Sequence, residues 1–318
     1  MLTLVVPVYR NEESLPELLD VIDGLSAGLN GELETVFVID GSPDRCYEIL
    51  RDTLPTRSIR AKLVLLSRNF GSFAAIRAGM EIGEGDRYAV MAADLQEPPD
   101  LILEMDSALR TGDCDVVVGV REAREDPLMS RVPSNIFWGL YRRFVVPGIP
   151  PGGVDVFACT RAFRDQLLQM EERHSSLIAQ IFWLGYRRRF IGYARQRRKH
   201  GKSAWTWRKK VNYLLDSVFS FTDLPIQFLI NIGAAGVILS GLFGTLVAIL
   251  RLTGRIDVPG YAATILVVVF LGALNLVAVG IVGSYAWRTY ENTKARPLHV
   301  VLRSHAFEPK REIVDLGF

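Results

Sequence analysis

Two stretches in the last third of the chain carry no charged residue. The first is FLINIGAAGVILSGLFGTLVAIL, Phe228 to Leu250; the second is YAATILVVVFLGALNLVAVGIVGSYAW, Tyr261 to Trp287. A bilayer core of about 30 Å takes about 20 helical residues, so each run is long enough to cross one. A soluble fold would have to hide both runs entirely, and uncharged runs beyond about 18 residues read instead as membrane spans. The connector RLTGRIDVPG holds Gly254, Pro259 and Gly260 and is short, which predicts an antiparallel hairpin.

Flanking charge orients the hairpin. Arg208, Lys209 and Lys210 precede the first span, and Arg288, Lys294, Arg296 and Arg303 follow the second. The connector offers only Arg251 and Arg255. The positive-inside rule then places both chain ends in the cytoplasm, as in a multi-pass protein of the inner (cytoplasmic) membrane. Just before the hairpin, Ser203 to Gln227 mixes Trp205, Trp207, Tyr213, Phe219 and Phe221 with a basic cluster, the pattern of a helix lying in the membrane interface. Asn135 to Pro151 shows a weaker version. The expected organisation is a cytoplasmic domain over 1–202, an interfacial segment over 203–227, spans at 228–250 and 261–287, and a cytoplasmic tail over 288–318. Gly233, Gly236, Gly241 and Gly244 leave room for close helix contact and so for a homo-oligomer.

Composition supports this division. Mean hydropathy is +0.19, high for a soluble protein. Lys and Arg number 37 against 35 acids, a balance with no nucleic-acid signature. Cys46, Cys114 and Cys159 are far apart, so neither a zinc site nor a disulfide framework is indicated. The opening MLTLVVPVYR lacks a basic n-region and a cleavage site, and reads as a first strand rather than a signal peptide.

Ahead of the hairpin, short β-branched runs alternate with helical segments. Strands are predicted over 2–8, 32–40, 62–66, 88–93 and 115–120. Ser14-Leu15-Pro16-Glu17 reads as a capping box, Ser42-Pro43-Asp44 as the opening of a second helix, and Phe73–Glu81 and Leu101–Leu109 as two more. The alternation argues a doubly wound, mostly parallel α/β sheet, whose ligands belong at the strands' C-terminal ends. Those ends are chemically loaded: Pro7 to Glu12, Asp40-Gly41-Ser42, Ser67 to Gly71, and Asp94-Leu95-Gln96. A Gly-rich dinucleotide fingerprint and a Walker loop are both missing, which argues against a dehydrogenase or P-loop enzyme.

The segments PVYRNEESLPELL, IDGSPDR, LSRNFGSFAAIRAG, ADLQEPPDLI, RRKHGKSAW and GSYAWRTYENTKARPLHVV occur in one order, from about Val5 to Val301. Together they resemble the membrane-bound polyprenyl-phosphate glycosyltransferases of glycosyltransferase family 2, akin to bactoprenol glucosyltransferases and dolichyl-phosphate mannose synthases. The resemblance implies a GT-A fold, a nucleotide-sugar donor with UDP-glucose favoured, a polyprenyl (undecaprenyl) phosphate acceptor, and inversion at the sugar carbon. It further implies Mg²⁺ or Mn²⁺ held by Asp94 and Gln96, hard oxygen ligands that suit either ion. Pro7, Tyr9, Glu12 and Asp40 fall where the family holds the nucleoside. Arg68, Arg198, Lys202 and Ser203 join them on the donor side, the last three in a loop over the diphosphate. Arg121, Arg131 and Ser134 resemble the contacts to the acceptor phosphate, and Asp155 a catalytic-site acid.

The chain departs from that pattern in four places. Ala92 stands where an acid is usual two residues before Asp94, Ile39 where a second acid precedes Asp40, Ala204 where a lysine follows the loop serine, and Ser284 where an acid follows the second span. These losses keep a second reading open: a non-catalytic homologue that binds nucleotide or lipid, or scaffolds a partner.

Overall fold

The computed structural model describes residues 1–121, 139, 141–143, 146, 148–150, 154, 156–173, 175–196, 207–253 and 260–309. The first strands form where predicted, at β1 (Leu2–Val8), β2 (Leu33–Ile39), β3 (Arg60–Leu66), β4 (Arg87–Val90) and β5 (Val116–Arg121). Between them lie α1 (Leu15–Gly28), α2 (Cys46–Thr53), α3 (Ser72–Ile82) and α4 (Pro99–Arg110). After β5 come β6 (Phe157–Thr160), α5 (Arg161–Leu168), α6 (Leu177–Trp183) and β7 (Arg188–Tyr193). The remaining elements are α7 (Trp207–Phe221), α8 (Leu224–Leu252), α9 (Tyr261–Thr293) and β8 (Val301–Phe307).

The eight described strands join one sheet in the order β7-β5-β6-β4-β1-β2-β3-β8. β1 pairs parallel with β2 and β4, β2 with β3, and β5 with β7. β6 runs antiparallel between β4 and β5, and β8 runs antiparallel along β3. This is the doubly wound, mostly parallel sheet expected of a GT-A fold.

Helices cover both faces, so the central strands are buried almost throughout. On one face Leu4, Val6, Phe37 and Leu63 pack against α1, α2 and α4 through Leu18, Ile22, Leu50, Ile102 and Met105. On the other, Val36, Val38, Val64 and Leu66 meet Ala75 and Ala78 of α3. α1 buries Leu15, Leu18, Leu19, Ile22 and Leu25, the i, i+3, i+4 stripe of an amphipathic helix. α3 lies so close to β1 that a Cβ on Gly79 would meet Val5 Cγ1 at 2.3 Å.

Two helix starts differ from expectation. α2 begins at Cys46, not at Ser42-Pro43-Asp44. The Ser42 and Asp44 side chains instead accept N–H bonds from Arg10 (2.8 Å) and Glu12 (3.3 Å), which holds the segment as a loop. Ser14 precedes α1, yet its side chain caps no helix N–H; its hydroxyl points to Ala93 instead, as described below.

The polypeptide divides into two compact units, Met1–Val211 with Pro297–Phe318, and Asn212–Arg296. The segment beyond 288 was expected as a tail, but Val301–Phe307 extends the sheet, in register from Ala61↔Phe307 to Leu65↔Arg303. Tyr47 hydroxyl and His305 Nε2 lie 3.1 Å apart across this addition.

The second unit contains two helices long and apolar enough to cross a membrane, within Leu224–Val247 and Val267–Thr293. A core helix of a soluble protein would be buried, but neither window is. Phe243, Phe270 and Leu276 are 68, 68 and 75% exposed. α7 packs on the end of α9: Arg288 donates to Asp216 at 2.8 Å and lies over the Phe219 ring, and Tyr285 meets Phe219 edge-on. Lys294 lies 4.2 Å from the Tyr290 ring centroid, with Trp287 beside it, a cation among aromatics of the kind found at membrane interfaces.

Candidate active site

Strand order reverses at β1: β2 and β3 lie to one side, β4 to the other. In open α/β sheets the crevice at such a switch point, beyond the carboxyl ends of the strands, is where ligands bind. β1 delivers Tyr9 to that edge and β4 delivers Asp94. The β1–β4 ladder ends at Val5↔Val90, so Pro7 has no β4 partner that its missing N–H would deprive.

The loops along this edge are tied to one another. Ser14 Oγ donates to Ala93 O at 2.8 Å, joining the loop after β1 to the end of β4. Glu12 Oε2 accepts the Arg45 N–H at 3.0 Å, joining the same loop to the start of α2. Gly41, at φ +57°, lies against the loop after β3; a Cβ there would meet Arg68 C at 2.3 Å and Asn69 N at 2.4 Å. Asp40 is buried, and its carboxylate accepts the N–H groups of Phe70 (2.7 Å) and Gly71 (2.9 Å) at the start of α3. Ser67 N–H reaches Val300 O at 2.9 Å, so the chain leading into β8 returns to the same edge.

Electrostatics follow from these ties. Burial pushes the Asp44 carboxyl up, but hydrogen bonds from Ser42, Cys46 and the Glu12 N–H outweigh it and hold Asp44 below its ordinary value. Burial, with Asp44 beside it, pushes the Cys46 thiol up to about 12. Cys46 is therefore a neutral structural group that receives the Asn11 N–H, not a nucleophile.

Asp94 is part-buried, and Leu95 after it adopts φ +53°. A left-handed leucine costs about 1–2 kcal/mol and marks a turn that its surroundings enforce. The turn brings the Gln96 N–H to 3.4 Å from Asp94 Oδ1. As a hard oxygen donor, Asp94 fits a divalent cation. Among the described residues no three His, Cys, Asp or Glu side chains converge, so these residues build no closed cage. One carboxylate, with the remaining ligands from substrate phosphates and water, is a usual way to hold Mg²⁺.

Gln96, expected as a second ligand, has its side chain engaged by the chain after β7. It is buried, its Oε1 accepts from Arg195 Nη2 at 2.5 Å, and its Nε2 donates to Gln196 O at 3.3 Å. A guanidinium has no acceptor, so the amide cannot be turned round, and its oxygen faces a cation already.

The other expected residues are placed as follows. Tyr9 is part-buried, its N–H held by Asn11 Oδ1 at 3.1 Å. Arg68 is exposed and lies 3.9 Å over the Phe70 ring. Arg121 ends β5, opposite Tyr193 of β7. Arg131, Ser134, Asp155, Arg198, Lys202 and Ser203 lie outside the described residues. Sequence reasoning missed Ser14 as a tie to β4, because a serine before a proline-led helix reads as a cap. Arg195 carries no local signal either, since it lies two residues past β7 and only the contact with Gln96 picks it out.

Comparison with known proteins settles the family. Residues 3–170 match the pattern described as Glycosyl transferase family 2. The chain belongs to glycosyltransferase family 2. An uncharacterized glycosyltransferase of Synechocystis is 32% identical over 301 residues, covering 94% of each chain. An undecaprenyl-phosphate 4-deoxy-4-formamido-L-arabinose transferase of Pseudomonas savastanoi pv. phaseolicola is 33% identical over 321 residues, covering 98% of this chain and 94% of its own. Among solved structures, the mannosyltransferase PcManGT of Pyrobaculum calidifontis, in complex with GDP-Man and Mn²⁺, aligns with TM-score 0.45 and 16% identity over 90% of this chain and 87% of its own. At that score the likeness adds nothing about ligands. This family-2 glycosyltransferase thus combines a mostly parallel sheet with two apolar helices.

Proposed function

We propose that this glycosyltransferase moves a sugar from a nucleotide sugar, UDP-glucose favoured, to polyprenyl (undecaprenyl) phosphate at the cytoplasmic face of the inner membrane, with inversion. One observation carries the reading: Asp94 stands at the switch point of a family-2 sheet whose chain continues into two apolar helices that bury no residue of their spanning windows. A lipid acceptor explains why a sugar-transferring domain is joined to such helices. The undecaprenyl-phosphate transferase relative, alike over nearly the whole chain, supports the acceptor class.

The chemistry asks little of a base. The acceptor phosphate is already an anion, and its oxygen displaces the nucleoside diphosphate at the sugar carbon: one C–O bond forms as the other breaks. A divalent cation, when bound, supplies Lewis-acid neutralisation of the charge gathering on the leaving diphosphate. Asp94 is the residue that would hold it, with Mg²⁺ or Mn²⁺ both suited to its oxygen. Tyr9 offers a ring and Glu12 a carboxylate near the nucleoside; Arg121 offers a cation for the acceptor phosphate, bidentate in the manner of arginine. Asp155, Arg131, Ser134, Arg198, Lys202 and Ser203 complete the proposed site.

The test is transfer itself. Purified full-length protein is incubated with radiolabelled nucleotide sugars, polyprenyl phosphate and Mn²⁺ or Mg²⁺, and label is followed into the organic phase. Label in the lipid supports the reading. Its absence with every common donor, while nucleotide still binds, supports the alternative of a non-catalytic binding or scaffolding homologue, which Ala92 favours.

A further inference from the structure

The contact between Gln96 and the chain leaving β7 has a meaning beyond packing. β7 is three places from β4 in the sheet, about 14 Å at ordinary strand spacing. Past Tyr193 the chain runs back along the C-terminal edge to reach the loop after β4. It is received there by one residue, three times over. Gln96 O accepts the Gln196 N–H at 2.8 Å, Gln96 Nε2 donates to Gln196 O at 3.3 Å, and Gln96 Oε1 accepts from Arg195 at 2.5 Å. Gln96 is only 9% exposed, so its own side of the contact is largely desolvated.

Its result is to hold a guanidinium on the side chain of Gln96, a residue two positions along from Asp94. Arg195 is exposed, and among the described residues it meets no carboxylate. A neutral amide orients this cation without neutralising it. Glutamate at the same place would have cancelled the charge. An oriented cation with most of its donors unused among the described residues suits phosphate oxygens, which accept from its planar fork in pairs. Asp94 has no carboxylate neighbour at Ala92, so the loop carries less negative charge to oppose an arriving anion.

We propose that Arg195 is a phosphate-binding residue of the donor site and that Gln96 is the positioning residue that aims it, in place of being a metal ligand. The ligand class is a nucleoside diphosphate, because the Gln96 N–H lies 3.4 Å from Oδ1 of Asp94, the residue proposed to hold the cation on the donor side. The inference rests on the donor reading above, and the test separates the two.

Detergent-solubilised full-length protein is titrated by calorimetry with UDP, GDP, CDP and dTDP. The tightest of these and its parent nucleoside are then measured on variants. Arg195→Ala is expected to weaken the diphosphate about ten- to hundredfold and leave the nucleoside unchanged, the range for losing a charge-assisted hydrogen bond. Arg195→Lys should recover part of the loss, which a folding defect would not. Gln96→Glu neutralises Arg195 and should also weaken the diphosphate; Mn²⁺ affinity, read by electron paramagnetic resonance, should not rise. Tighter Mn²⁺ binding in Gln96→Glu would make residue 96 a metal ligand and overturn the inference. So would an unchanged diphosphate affinity in Arg195→Ala, or a loss confined to farnesyl phosphate, which would place Arg195 on the acceptor. Failure of the unaltered protein to bind any of the four diphosphates would instead remove the donor reading itself.

Discussion

Ser14 Oγ lies 2.8 Å from Ala93 O, across 79 residues of sequence, and the residue it anchors is followed directly by Asp94. The hydroxyl also lies 3.0 Å from Asn11 O, so one side chain fixes both the loop after β1 and the end of β4. Both strands border the switch point, and this bond sets their spacing there. Ser14→Ala leaves a buried carbonyl without its donor, at a cost of about 1–3 kcal/mol. The expected outcome is a thermal midpoint lowered by several degrees and a slower transfer rate at saturating donor, because Asp94 is less firmly held. Scanning calorimetry and initial rates check the two effects separately.

Gly41→Ala should be worse tolerated than its size suggests. The new Cβ would lie 2.3 Å from backbone that cannot swing away, at a φ of +57°. The loops after β2 and β3 must part, and Asp40 would lose its grip on the start of α3. We expect about 1–3 kcal/mol of destabilisation and faster hydrogen exchange over residues 67–73, measured by mass spectrometry on intact protein.

pH acts on the same loops from both sides. Asp44 is held below its ordinary value of 3.8, so its contribution is complete above that pH and is lost as pH falls below about 4. Asp44→Asn should flatten the acid limb of the stability profile. Cys46 is raised from 9.0 to about 12, so the folded state keeps a proton that the unfolded chain gives up. Stability from this group is present below pH 9 and is lost as pH climbs towards 12. Cys46, Cys114 and Cys159 are all buried, with thiols raised by burial. Iodoacetamide at pH 8 should therefore label none of them in native protein and all three in denaturant.

Ala92→Asp restores a second carboxylate beside Asp94. More anionic ligands tighten a hard cation, and a gain of about tenfold in Mn²⁺ affinity is expected. Electron paramagnetic resonance of free Mn²⁺ measures it; no gain would mean that residue 92 does not face the cation.

Much of this was legible in the residues. Buried parallel strands announce themselves as short β-branched runs, and β1 to β5 fall where those runs lie. The apolar stretches fall within α8 and α9, because nothing else tolerates so long an uncharged run. Long-range polar contacts were not legible. Nothing local says that Ser14 reaches Ala93, or that Gln96 is taken by a segment 100 residues away. Nor does local pattern show Val301–Phe307 as a strand, since its side chains are largely exposed and it is defined by backbone pairing with β3. Ser42 and Asp44 misled because the residues that cap helices also hold loops, and only the partner loop decides which.

The most direct measurement compares Asp94→Asn with the unaltered protein in transfer of labelled sugar to polyprenyl phosphate, at saturating donor and Mn²⁺. The exchange keeps the side chain's shape and removes its charge. Transfer should fall by at least about a hundredfold, the scale for losing one electrostatic stabiliser of a leaving group, with the thermal midpoint little changed. A variant that keeps more than about a tenth of the rate would contradict the placing of Asp94 at the centre of the chemistry.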